Sequence, residues 1–123
     1  MTDFSDALEN RILEAVLRAT VWTAVPGVRM SLHTADPGDT GASEAAGGSY
    51  ARQTPSYGGA VAGVCTQTGT VTFASMPATT ITHWGLWSSD TVPVFLFRGT
   101  LSAPATLVAG DSFVMSGSTV TLL

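Results

Sequence analysis

The sequence predicts a mainly β fold: residues 1–123 form a single domain, an antiparallel β-sandwich or jelly-roll-like domain with one N-terminal α-helix. Three observations carry that expectation. Beyond residue 27 the chain offers about seven to nine short β-prone runs, broken by turn residues roughly every 8–12 positions, as in sandwiches and barrels. Only one segment, at the N-terminus, has helical periodicity. A length of 123 residues supports one hydrophobic core and not two.

The helix is expected within residues 1–20. From Asp3 to about Thr20, Phe4, Leu8, Ile12, Ala15, Val16 and Ala19 recur at three- and four-residue spacing. Leu13 and Leu17 widen the stripe, and Asp6, Glu9 and Glu14 avoid it. The early acidic residues suit the positive end of the helix dipole, and Glu14 and Arg18 are spaced for an ion pair. Asp3 or Ser5 is the candidate N-cap. Such a helix either covers one side of the β core or docks on a neighbouring subunit. Trp22, just before the turn dipeptide Pro26-Gly27, is expected to pack beneath it.

A strand follows over residues 28–34, with Val28, Met30 and Leu32 on one face. It runs into Asp36-Pro37-Gly38-Asp39, a strong turn signal, and residues 35–49 are expected to form a long exposed loop. Tyr50–Thr54 has a strand's composition, closed by Pro55, and Ser56–Gly59 reads as loop. Two short runs around Val61–Val64 and Thr70–Phe73 are joined through Thr66–Gly69. Thr80–Trp87 is the next strand, where Gly85 marks a bulge or a close backbone approach. Val92–Leu101 is the most apolar run, buried on both faces around Val94–Phe97 until Arg98 and Gly99. Pro104 and Ala109-Gly110-Asp111 mark turns, and Ser112–Ser116 and Ser118–Leu123 are the final strands.

Charged residues make up 11% of the chain, against the ~25% usual for soluble domains. So sparse a charge points to a surface partly covered by subunit or lattice contacts. The net charge is −4 and all five basic residues are dispersed arginines, which leaves no electrostatic footprint for nucleic acid or anionic lipid. Cys65 is the single cysteine, so no intrachain disulfide or multi-cysteine metal site is expected. Asp3 and Asp6 stand where a signal peptide carries positive charge, and no apolar run is long enough to span a membrane.

Candidate chemistry is thin. His33, His83 and Asp36 could supply a two-His-one-carboxylate metal set, but they lie far apart and no ligand spacing links them. The expectation is no metal, with His33 on a polar strand face and His83 beside Trp84. No nucleophile elbow is present, and Cys65 lacks a flanking catalytic signature and reads as a small buried hydrophobe. Asp36, Asp39, Glu44, Asp90 and Asp111 all fall in turns, where acids are ordinary. The glycine-rich stretch matches neither a P-loop nor a dinucleotide fingerprint. Catalytic residues and cofactors are therefore not expected. Trp84, Trp87, Tyr50 and Tyr57 could make a platform for sugars or bases, though core and interface positions are the preferred reading for them.

The order of several motifs carries a resemblance. Phe4-x-x-x-Leu8-Glu9-Asn10-x-Ile12-Leu13 is followed by Met30–Gly38, then Gly47-Gly48-Ser49-Tyr50-Ala51-Arg52-Gln53 and Thr82-His83-Trp84-Gly85-Leu86-Trp87. Leu107-x-x-Gly110-Asp111-x-Phe113 and Thr119–Leu122 close the chain. In this order the sequence resembles a family of small tailed-bacteriophage virion proteins, commonly labelled tail fibre proteins, some of which serve as capsid decoration or cement proteins. The resemblance implies a structural protein present in many copies, without catalysis or cofactor, located in the virion and assembled in the host bacterial cytoplasm. Its expected partners are the major capsid protein and copies of itself in a homo-oligomer, a trimer by analogy. No internal repeat marks a long fibre, so a cement role bridging capsid subunits is favoured. A tail or tail-fibre component binding a host receptor or glycan is the alternative. By composition and position, the contacts are expected from Asp36, Pro37, Asp39, Tyr50, Arg52 and Tyr57, with the 35–49 loop ordering on docking.

Overall fold

In the computed structural model, which describes residues 2–122, the chain begins with β1 (Thr2–Phe4), α1 (Asp6–Leu17) and β2 (Val28–His33). Next come β3 (Ser56–Tyr57), β4 (Val64–Thr68), β5 (Thr70–Phe73) and β6 (Thr79–Ser88). β7 (Phe95–Leu107), β8 (Phe113–Ser116) and β9 (Thr119–Thr121) complete it. Met1 of the expected 1–20 segment and Leu123 of the last expected strand lie outside the described residues. Strand pairing among the described residues is antiparallel throughout. A four-stranded sheet in the order β1-β7-β6-β2 stands with a three-stranded sheet, β3-β4-β9, and the pair β5-β8. The fold is thus the expected antiparallel β architecture with one N-terminal helix.

The core lies where these sheets meet. Met30 and Leu32 of β2 and Ile81, Trp84 and Leu86 of β6 pack with Val71 and Phe73 of β5 and Met115 of β8. The alternation in Thr70–Phe73 sends Val71 and Phe73 inward and the threonines outward, and each such burial stabilises by about 1.5–3 kcal/mol. Gly85 is a close approach: a Cβ there would lie 2.9 Å from both the Phe95 ring and Ser31 Oγ.

The N-terminus differs from expectation. Thr2–Phe4 is a strand, pairing with Gly99–Phe97 of β7, and the Phe4 ring meets Phe97 edge-on at 4.8 Å instead of heading a helical stripe. Helix formation therefore starts after Ser5, whose hydroxyl oxygen accepts from the Leu8 N–H at 3.4 Å and donates to the Phe95 carbonyl at 2.6 Å. Asp3 is not the cap. Leu8 is the one buried residue of α1, and Trp22 is exposed. Ile12 and Ala15 are half-buried on the same side as Leu8, but Leu8 stands outside the core cluster, so the helix does not cover the core, and Trp22 lines a cleft beside the helix instead of packing beneath it.

Further along, Tyr50–Thr54 makes a single bridge, Gln53 to Met30, and the short strand is Ser56–Tyr57, which pairs with Gln67–Thr68. Thr66–Thr68 belong to β4 and not to a connection. Pro104 makes no turn, because it sits inside β7. The register there passes from Ile81↔Ala105 to His83↔Thr100, leaving Pro104 in a bulge where no ladder N–H is required of it.

Candidate functional site

The segment between β2 and β3 is the most heavily cross-linked irregular stretch of the molecule. It starts with a tight turn in which the Asp36 carboxylate accepts from the Gly38 N–H at 2.9 Å, with Gly38 at φ 58°. Pro37 is buried, and its carbonyl accepts from the N–H groups of Gly41 and Ala42. The chain then folds back on β2: Thr34 N–H donates to the Ser43 carbonyl, Ala45 N–H to the Leu32 carbonyl, and Met30 and Gln53 exchange both bonds. The loop thereby satisfies the outer edge of β2, which would otherwise present unpaired amides.

Beneath the backbone lies a continuous polar network. Arg52 donates two bonds to Glu44, Nε to Oε1 at 2.9 Å and the terminal nitrogen to Oε2 at 2.7 Å. This is the bidentate geometry that suits a guanidinium. Tyr50 donates to Glu44 Oε1 at 2.9 Å and accepts from the Leu32 N–H at 3.0 Å. The Arg52 guanidinium lies 3.8 Å from the Trp87 ring centroid, a cation–π contact. Trp87 donates its indole N–H to Ser31 Oγ at 3.0 Å, and Ser31 Oγ is 2.7 Å from His33 Nε2. His33 Nδ1 faces the Ala42 carbonyl at 2.7 Å. A carbonyl only accepts, so the geometry assigns the proton to Nδ1 and leaves Nε2 to accept from the serine hydroxyl.

The electrostatics follow from these contacts. Burial lowers the pKa of His33 below its usual 6.5, outweighing the Ala42 carbonyl and the Glu44 charge that favour the imidazolium. For Glu44 burial acts upward, but the hydrogen bonds from Arg52 and Tyr50 prevail and hold its carboxyl below the usual 4.5. Burial raises the Tyr50 phenol, and Glu44 raises the Arg52 guanidinium. His33 is thus neutral, Glu44 and Arg52 are charged, and the network is fully paired. Among the described residues every buried side-chain nitrogen and oxygen has a hydrogen-bond partner. No group of three or more His, Cys, Asp and Glu side chains there is placed to hold a metal ion.

The expected contact residues separate into two sets. Asp36 and Asp39 are exposed at the loop tip, where Arg98 of β7 lies 3.8 Å from each and 3.3 Å from Asp3. The Gly38 N–H, with Arg98 behind it, lowers the Asp36 pKa. Pro37, Tyr50, Arg52 and Tyr57 face inward. Tyr50 stacks on Phe73 at 6.0 Å, and Tyr57 shares a 2.8 Å bond with Ser118 Oγ. Trp84 is core and Trp87 is half-buried against Phe95, so the four aromatics do not line up as one exposed platform. His33 is fully buried instead of lying on a polar face, and Cys65 is only half-buried. His83 is half-buried, its Nδ1 2.7 Å from Thr82 Oγ1.

Sequence reasoning missed Glu44, Ser31 and His33 as parts of one network. One signal was available: Glu44 is the sole acidic residue between Asp39 and Asp90, and Arg52 is the sole basic residue between Arg29 and Arg98. Two isolated opposite charges flanking a Gly-Gly-Ser-Tyr stretch are natural partners across a turn.

In comparisons with known proteins, the family described as "Podophage GP4 fiber I protein gp80" matches residues 3–122. No curated protein matches the chain.

Proposed function

The chain belongs to the Podophage GP4 fiber I protein gp80 family, and from that premise we propose that it is a non-enzymatic fibre component of the virion that presents a rigid acidic loop tip to another virion protein. That it is a phage structural protein follows from the family; the fibre role and the contact site are the proposal. The observation that carries the site is the contrast within one loop. Glu44, Tyr50 and Arg52 are held by mutual bonds, whereas Asp36 and Asp39 stand exposed on the turn that this network supports. A loop already ordered in the free chain loses little entropy on docking. Basic groups on the partner would replace or share Arg98 as the counter-charge for the two aspartates.

A second reading is capsid decoration, in which copies bridge major capsid subunits. It is favoured by the single short domain without repeats, which suits a knob better than a shaft. Localisation on intact virions by cryo-EM, with a label on the chain, decides between the two. Density on the tail supports the fibre reading, and density spaced regularly over the shell replaces it with decoration. The contact site is tested separately by Asp36→Asn with Asp39→Asn, which is expected to lower incorporation into particles with only a small fall in the thermal midpoint of the isolated chain, since both carboxylates are exposed. Unchanged incorporation would move the contact away from the tip.

A further inference from the structure

α1 leaves Leu13, Val16 and Leu17 exposed as an apolar stripe. A different set of its side chains, Asn10, Arg11 and Glu14, lines a cleft of about 460 Å³. Most of the remaining lining comes from the segment that follows the helix. At Ala19 the chain turns through a left-handed conformation, φ 52°, and residues 20–25 then border the cleft. That segment is held at both ends. The Thr20 N–H donates to the Glu14 carbonyl at 3.2 Å and its hydroxyl to the Glu14 carboxylate at 3.4 Å, while the Ser89 N–H donates to the Gly27 carbonyl at 3.0 Å. Asp90, next to Ser89 in the turn after β6, completes the lining. The volume falls within the roughly 300–1,000 Å³ range of small-molecule sites.

Two features of the lining point to its ligand. Trp22 is 40% exposed, whereas Trp84 is sealed and Trp87 half-buried, so Trp22 is the tryptophan that offers ring surface to solvent. Beside it, the side chains of Asn10, Arg11 and Asp90 make no hydrogen bond or ion pair among the described residues. An amide, a guanidinium and a carboxylate are planar groups that present two polar atoms side by side. That spacing matches neighbouring hydroxyls on a pyranose ring, and the C–H face of such a ring packs on an indole. The charges balance, Arg11 against Asp90 and Arg18 against Glu14 at 3.1 Å. A cation or an anion would meet a like charge there, and a neutral ligand would not. We propose that the cleft between α1 and residues 20–25 binds a neutral saccharide, with its ring stacked on Trp22 and its hydroxyls bonded to Asn10, Arg11 and Asp90. The cleft shares no residue with the acidic loop tip, so the role of either site stands without the other.

The test is titration of the isotope-labelled full chain with glucose, galactose, mannose, rhamnose and N-acetylglucosamine. NMR reads the indole N–H of each tryptophan and the backbone amides of residues 10–25. At least one sugar is expected to shift the Trp22 indole signal saturably and to leave Trp84 and Trp87 unmoved. Stereoisomers are expected to differ in affinity, because fixed polar groups read the direction of each hydroxyl. Trp22→Ala is expected to weaken binding, followed at the backbone amides, by roughly tenfold or more, and Trp22→Phe by less. Asn10→Ala and Asp90→Ala are each expected to weaken it by roughly tenfold. Circular dichroism checks folding, and if Trp22→Ala does not fold the other two variants decide, since neither side chain is bonded within the chain. No shift of the Trp22 signal by any of these sugars overturns the proposal. So does a shift matched by glycerol at the same concentration, or binding indifferent to the Asn10 and Asp90 substitutions.

Discussion

Replacing Glu44 by Gln removes the charge on which Arg52 and Tyr50 converge while keeping the shape of the side chain. Arg52 then remains three-quarters buried without its counter-ion, and loss of a charge-assisted pair at such a site costs about 1–3 kcal/mol. The expected outcome is a clear drop in the denaturation midpoint, measured by thermal or urea unfolding of the purified chain. Acid acts on the same network in two steps. The folded pKa of His33 lies below 6.5, so the unfolded chain takes up a proton first. Stability therefore falls as pH drops through about 6.5 toward the folded value. Glu44 has a folded pKa below 4.5, and its contribution, present above that value, is lost as pH falls through the folded one. Thermal midpoints at constant ionic strength should decline from pH 7 to 5 and decline further below 4.5. A flat profile between pH 7 and 5 would show that His33 is not buried neutral.

At the scale of elements, the loop from residue 34 to 53 is fixed at one point by a missing side chain. Gly41 has φ 75°, and a Cβ there would come within 2.2 Å of the Trp87 ring and 3.0 Å of Phe95. Gly41→Ala imposes both left-handed strain and a clash, and is expected to cost about 2 kcal/mol or more. Hydrogen exchange would show the loss spread over residues 42–53 as the fold-back loosens. The same element shows what a sequence can and cannot disclose. β2, β5 and β6 were legible because alternation of apolar and polar residues is a local property. Ser5 was one of two candidate caps, but choosing it required the pairing of Thr2–Phe4 with β7, a contact between residues more than ninety positions apart. Pro104 misled for a related reason, since a bulge in register is invisible until both strands are in place. The bonds from Tyr50 and Arg52 to Glu44 span only six and eight residues, yet they need the loop to reverse, and nothing in its small residues states the path of that reversal. The exposed stripe of α1 was legible as apolar, but not as unused.

Taken whole, the molecule joins a sandwich whose interior is fully paired to a helix whose outer side is not. Arg98 draws Asp3, Asp36 and Asp39 together at one place, linking β1, β7 and the loop tip, while the three tryptophans are distributed among three different regions. Trp84 is sealed in the core, Trp87 lies under Arg52 against Phe95, and Trp22, 40% exposed, lines the cleft beside α1. Their fluorescence is therefore spatially resolved without any added label. Trp84 should emit to the blue and resist quenching by iodide, and Trp22 should emit to the red and be quenched readily. Trp87 should change its yield when the guanidinium above it moves. Single-tryptophan versions of the chain would then report, from one cuvette, on core melting, on loop release and on the surroundings of the helix.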